Sequence, residues 1–140
     1  MTPSRRVVLQ TIGAGCLASA CGGGGGDGPA EGVATMCGTD LCISIAENAE
    51  LAEVGGGLLF LQAQAHKVYV VRTASGFVSL SAVCTHAFCT IEWNGSAAFD
   101  CGCHGSRFAS DGSVLGGPAT RPLKIYPNTL VGDTLTITLT

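Results

Sequence analysis

Two short segments hold most of the side chains that could do chemistry: Cys84-Thr85-His86-Ala87-Phe88-Cys89 and Cys101-Gly102-Cys103-His104-Gly105-Ser106. Each brings two Cys and one His together. Two Cys and two His suit a two-iron, two-sulfide cluster, with thiolates on one iron and imidazoles on the other. They also suit a mononuclear tetrahedral zinc site. A third reading has no metal, the cysteines serving as disulfide staples of an exported domain. Pure staples do not require His at fixed offsets, yet two of the three His of the chain lie inside these segments.

The spacing Cys84-x-His86 followed by Cys101-x-x-His104 resembles that of the Rieske iron–sulfur proteins. The resemblance runs from about Leu41 to Thr140 and is strongest between Cys84 and Leu123. It implies one [2Fe–2S] cluster, with Cys84 and Cys101 on one iron and His86 and His104 on the other. It also implies a disulfide between Cys89 and Cys103 that clamps the two cluster loops together. Soluble Rieske ferredoxins that feed ring-hydroxylating oxygenases lack this Cys pair. Its presence makes the chain similar to the quinol-oxidase side of the family, matured in an oxidising compartment. Imidazoles in place of two thiolates make such a cluster less negative. Its potential is about −150 to +300 mV, against about −400 mV for plant-type ferredoxins.

The same resemblance assigns the neighbours. Ser106 stands where the family's serine donates a hydrogen bond to a bridging sulfide, which raises the potential. Phe108 stands where high-potential members carry Tyr bonded to a ligand sulfur. Phe cannot donate, so a potential below that of the Tyr-bearing respiratory proteins is expected. Gly116-Gly117-Pro118-Ala119-Thr120-Arg121-Pro122-Leu123 resembles the proline loop that covers the cluster from a third side. The outer ring nitrogens of the two His ligands would face outward, coupling proton to electron uptake. They would also mark a docking face around His86, Ala87, Phe88, His104 and Gly105.

The elements that must position these groups are short. Leu41 to Ala46, Leu58 to Gln62, Lys67 to Thr73, Phe77 to Val83 and the strictly alternating Thr134 to Leu139 read as strands. Asn94-Gly95, Asp111-Gly112 and Gly132-Asp133 read as turns. No stretch after the N-terminal segment has helical periodicity. The expectation is an all-β domain, antiparallel and of Rieske sandwich or barrel type, carrying two cluster-binding loops.

Ahead of that domain lies an export segment. Ser4-Arg5-Arg6 precedes an apolar stretch from Val7 to Ala20, too short for the roughly 20 residues of a membrane span. The paired arginines match a twin-arginine signal, which suits a protein exported with its metal centre in place. Leu17-Ala18-Ser19-Ala20-Cys21 resembles a lipoprotein cleavage site with Cys21 as the lipidated residue. The expected organisation is residues 1–21 as signal, 22–35 as glycine-rich tether, and 36–140 as the Rieske domain. Cys37 and Cys42 are expected to form a second disulfide at the domain entry. His66 and Trp93 are expected to be plain structural residues.

The chain has 140 residues, a net charge of −3 and no basic cluster, which disfavours nucleic acid as a partner. No acid/base or nucleophile set stands outside the cluster segments, so catalysis by this chain alone is not expected. The function implied is a membrane-tethered electron carrier of the bacterial cell envelope, on the periplasmic side. It would take one electron from a quinol-linked donor and pass it to a c-type cytochrome. Two alternatives stand: the small subunit of an arsenite-oxidase-type molybdoenzyme, and a redox-responsive binding module without turnover.

Overall fold

The computed structural model describes residues 30–54 and 58–140. The signal, Cys21 and the glycine tether up to residue 29 lie outside the described residues, as does Gly55-Gly56-Gly57.

The strands in chain order are β1 (Ala30–Glu31), β2 (Thr35–Cys37), β3 (Asp40–Ser44), β4 (Leu58–Ala63), β5 (His66–Thr73), β6 (Gly76–Ser81), β7 (Glu92–Trp93), β8 (Ala98–Asp100), β9 (Arg107–Ala109), β10 (Val114–Gly116), β11 (Ile125–Tyr126), β12 (Asn128–Val131) and β13 (Thr134–Ile137). They form three sheets, ordered β1-β4-β5-β6-β11, β12-β13-β3-β2 and β10-β9-β8-β7. Every pairing is antiparallel except β1 on β4. The all-β antiparallel architecture read from the sequence is therefore the one observed. One short 3-10 turn, Ala49–Ala52, places Leu51 in the core. It lacks helical periodicity because it is a single turn.

β5 explains the layering. Its run Val68-Tyr69-Val70-Val71 is buried throughout. Val68 and Val70 pack with Leu41, Ile43, Leu135 and Ile137, while Tyr69 and Val71 pack with Leu80, Phe99 and Phe108. Successive side chains of a strand point to opposite faces. A strand apolar on both faces must therefore lie between two cores, and the five-stranded sheet is the middle layer.

Two observations differ from the sequence reading. Pairing starts at Ala30, six residues before the expected domain start, because Glu31 lies opposite Phe60 and Asn48 bonds Val33 at both its N–H and its C=O. The β4–β5 hairpin turns through Gln64 at φ 53°, although no Gly or Asn marks it. Six residue pairs of two apolar strands enforce that turn.

Candidate functional site

The small sheet carries two six-residue loops with one backbone plan. Loop 1 is Cys84–Cys89, closed by the Val83–Thr90 bridge. Loop 2 is Cys101–Ser106, closed by the Asp100–Arg107 pair. In each, the first N–H reaches the last carbonyl: Cys84 to Cys89 at 2.7 Å and Cys101 to Ser106 at 2.8 Å. In each, the fifth N–H returns to the first carbonyl: Phe88 to Cys84 at 3.0 Å and Gly105 to Cys101 at 2.9 Å. The fifth residue has positive φ in both, 59° at Phe88 and 78° at Gly105. Cys84 therefore corresponds to Cys101, and Cys89 to Ser106.

This plan sorts the side chains by depth. Cys84 and Cys101 are each 1% exposed, against the core residues Phe99 and Phe108. His86 and His104 are exposed, with ring centroids 4.9 Å apart at 77°. Cys89 and Cys103 are disulfide-bonded, Cα atoms 6.5 Å apart, and tie loop 1 to loop 2. Cys37 and Cys42 are likewise bonded across the β2–β3 hairpin. Among the described cysteines the two free thiols are Cys84 and Cys101. The sulfurs of Cys89, Cys101 and Cys103 also lie within 4.8 Å of one another. Two of those three are spent in the disulfide, so that trio is not a ligand set.

The thiols face each other and perturb each other. Burial pushes the Cys84 thiol up, but hydrogen bonds from the His86 N–H, Cys101, the Ala87 N–H and Ser106 outweigh it and hold it below the ordinary range. Burial also pushes the Cys101 thiol up, and there the negative charge of Cys84 adds to it. Backbone N–H groups aimed at sulfur are what a pair of metal-bound thiolates needs.

A third segment, residues 116–123, closes over both loops. The Ala119 N–H donates to the Ser106 hydroxyl at 3.1 Å, and Ser106 is 0% exposed. With its oxygen accepting from Ala119, the hydroxyl can donate its own proton toward the Cys84 sulfur. The Thr85 hydroxyl donates to the Arg121 carbonyl at 2.7 Å. Gly117 has φ 87°, and a Cβ there would lie 2.5 Å from the Gly105 oxygen and from the Ser106 Cα. Only glycine lets this segment approach so closely. Phe108 is fully buried on β9 and brings no donor to this core.

Residues 42–127 match the Rieske [2Fe-2S] domain family. The chain belongs to the Rieske family.

One Rieske-type [2Fe–2S] cluster goes with that membership. The donor set fits it: two buried unbonded thiols and two exposed imidazoles on mirrored loops. The domain is 53% identical over 55 residues to the cytochrome b6-f complex iron-sulfur subunit 1 of Synechocystis sp., covering 39% of this chain and 31% of the relative. It is 49% identical over 55 residues to the cytochrome b6-f complex iron-sulfur subunit of Synechococcus sp., covering 39% of this chain and 32% of that protein. The matched region thus spans about a third of these curated relatives. Among solved structures, the plasma membrane Rieske protein PetC3 of Synechocystis matches with TM-score 0.52 and 32% identity, over 58% of this chain and 85% of that one. A chain of a hyperthermophilic respiratory Complex III matches with TM-score 0.54 and 27% identity, over 69% and 72%.

Sequence reasoning missed the backbone parts of the site. The Ala119 N–H, the Arg121 carbonyl and the positive φ of Phe88 carry no signal in residue type. One indirect signal existed: Gly105 lies 17 positions after Phe88, the offset that also relates Cys84 to Cys101. His66 is half-buried, with Nδ1 3.4 Å from the Tyr126 hydroxyl, and Trp93 stacks edge-on against Phe99 at 5.0 Å. Among the described residues no helix is long and apolar enough to cross a membrane.

Proposed function

We propose that this Rieske domain is an exported, membrane-tethered electron carrier that links a quinol-linked donor to a c-type cytochrome on the periplasmic side. The N-terminal segment serves as the signal with Cys21 as lipid anchor, the glycine-rich stretch up to residue 29 as tether, and the chain from Ala30, where sheet pairing begins, as the carrier. Cys84 and Cys101 hold one iron; His86 and His104 hold the other. When bound, the cluster accepts and releases one electron at a time.

The observation that carries this reading is the contrast in depth between the two ligand pairs. The thiols are 1% exposed while both imidazoles are open at the tip. Loop burial keeps water from the sulfurs and holds Ser106 against Cys84. The open imidazoles can pass a proton from their outer nitrogens as the charge of the site changes, which suits a hydroquinone donor. Their setting among Ala87, Phe88 and Gly105 gives a partner a small surface close to the metal ligands. The relatives named as cytochrome b6-f subunits support the same side of the family.

The test is electron paramagnetic resonance of the dithionite-reduced protein, titrated against potential at several pH values. The expected result is a rhombic signal with average g below 2 and a midpoint that falls as pH rises. A silent reduced state, with zinc found on metal analysis after growth with ample iron, would overturn the electron-transfer reading.

A further inference from the structure

A cleft of about 310 Å³ opens on the flank of loop 1, between Phe88 and the proline segment, with Cys84 in its wall. Neither His86 nor His104 lines it. It lies beside the imidazole tip, and Phe88 borders both. Two features of the cleft bear on what could dock there.

The first is Phe88. A bulky residue at φ 59° is an outlier, because its Cβ crowds the backbone. Its ring is also 80% exposed. Loop 2 meets the same conformational demand with Gly105. Strain at a position that packing does not reward points to use by a partner.

The second is charge. Arg121 and Lys124 lie on the cleft and no carboxylate does. Their backbones are fixed, Arg121 by Thr85 and Lys124 by the Ser81 N–H at 2.8 Å. The one ion pair among the described residues is elsewhere, Arg107 with Asp100. The whole chain, these two cations included, is net acidic at −3. An acidic protein approaching at random is repelled, and this lip is where it is attracted.

We propose that the cleft docks an acidic redox protein, which seats an apolar side chain against Phe88 and Pro122 while its carboxylates meet Arg121 and Lys124. The proposal rests on the electron-carrier reading above. One electron passes between this protein and the partner's metal by way of the Cys84 wall. One side is oxidised and the other reduced by a single unit, and no bond forms or breaks.

The experiment uses the full-chain protein with its cluster and two probes of opposite charge: an acidic plastocyanin and a basic cytochrome c. Oxidation of the reduced protein is followed by stopped flow, and contacts are mapped by carbodiimide cross-linking of lysine amines to carboxylates. The expected result is a cross-link at Lys124 to the acidic copper protein. Arg121→Glu with Lys124→Glu should slow that protein at least tenfold at low ionic strength, without slowing the cytochrome. Phe88→Gly should raise the melting temperature by a few degrees, since glycine accepts the positive φ, and yet slow the copper protein. Cross-links confined to Lys67, or wild-type rates in the double variant, would overturn the cleft. The reduced-state resonance signal separates the two readings. Its presence alongside those negative results removes the cleft alone, and its absence removes the carrier reading while cross-linking still decides docking.

Discussion

Ser106 and Phe108 differ in what they can offer the paired thiols: Ser106 has a hydroxyl to donate and Phe108 has none. Ser106 is fixed from behind by the Ala119 N–H and faces the Cys84 sulfur. A hydrogen bond to sulfur favours the more negative, reduced state. Phe108 occupies a fully buried place in the same core and can give no such bond. Ser106→Ala should therefore lower the midpoint potential and Phe108→Tyr should raise it, each by about 50 mV. That size follows from a tenfold bias between redox states, about 59 mV for one electron. Resonance-monitored redox titration of both variants checks the pair. A Phe108→Tyr protein with an unshifted midpoint would show that the new hydroxyl does not reach a ligand sulfur.

At the scale of the element, the proline segment is a lid held by its backbone. Its bonds to Ser106 and Thr85 need Gly117 seated so close to loop 2 that a Cβ there would lie 2.5 Å from the Gly105 oxygen and the Ser106 Cα. Gly117→Ala adds a methyl group that meets backbone atoms, which cannot move aside as a flexible side chain would. It also puts a Cβ at φ 87°. The expected cost is about 1–3 kcal/mol, and the segment lifts off the loops. The measurement is the loss of cluster absorbance with time at raised temperature, which should be faster than in Gly116→Ala. Gly116 has no atom within 4 Å of its would-be Cβ, so equal rates would refute the seating role. The Cys89–Cys103 disulfide acts on the same two loops from the side, and it closes a sequence separation of 14 residues. Loops of that size gain about 3 kcal/mol from cross-linking.

For the whole molecule, stability is set by a middle sheet with a core on each side. Tyr69 sits on the small-sheet side of it, 3% exposed, its hydroxyl donating to the Ile91 carbonyl at 3.1 Å. Burial, with the nearby Glu92 charge, pushes its phenol up to about 12 from 10.0. The folded state thus holds the proton more tightly than the unfolded chain does. Its stabilising contribution is whole below pH 10 and disappears as pH rises from 10 to about 12. Urea unfolding should show stability falling across that window, and Tyr69→Phe should flatten the fall. An equally steep fall in the variant would place the alkaline weakness elsewhere.

Residue types and local spacing determined a good deal by themselves. Two Cys-His segments define a donor set, and that chemistry is local because a short loop brings its own ligands. Alternation in Thr134 to Ile137 and the apolar run of β5 likewise state a strand directly, since strand periodicity is written one residue at a time. Tertiary structure decided what depends on groups far apart in the chain. Thr85 meets Arg121 across 36 residues and Ser106 meets Ala119 across 13. Each of those contacts uses a backbone group, which every residue but proline carries alike. The turn at Gln64 and the strained Phe88 follow the same logic. In both, the closure of paired strands or of a hydrogen-bonded loop overrode a residue's own preference, so residue type alone announced neither.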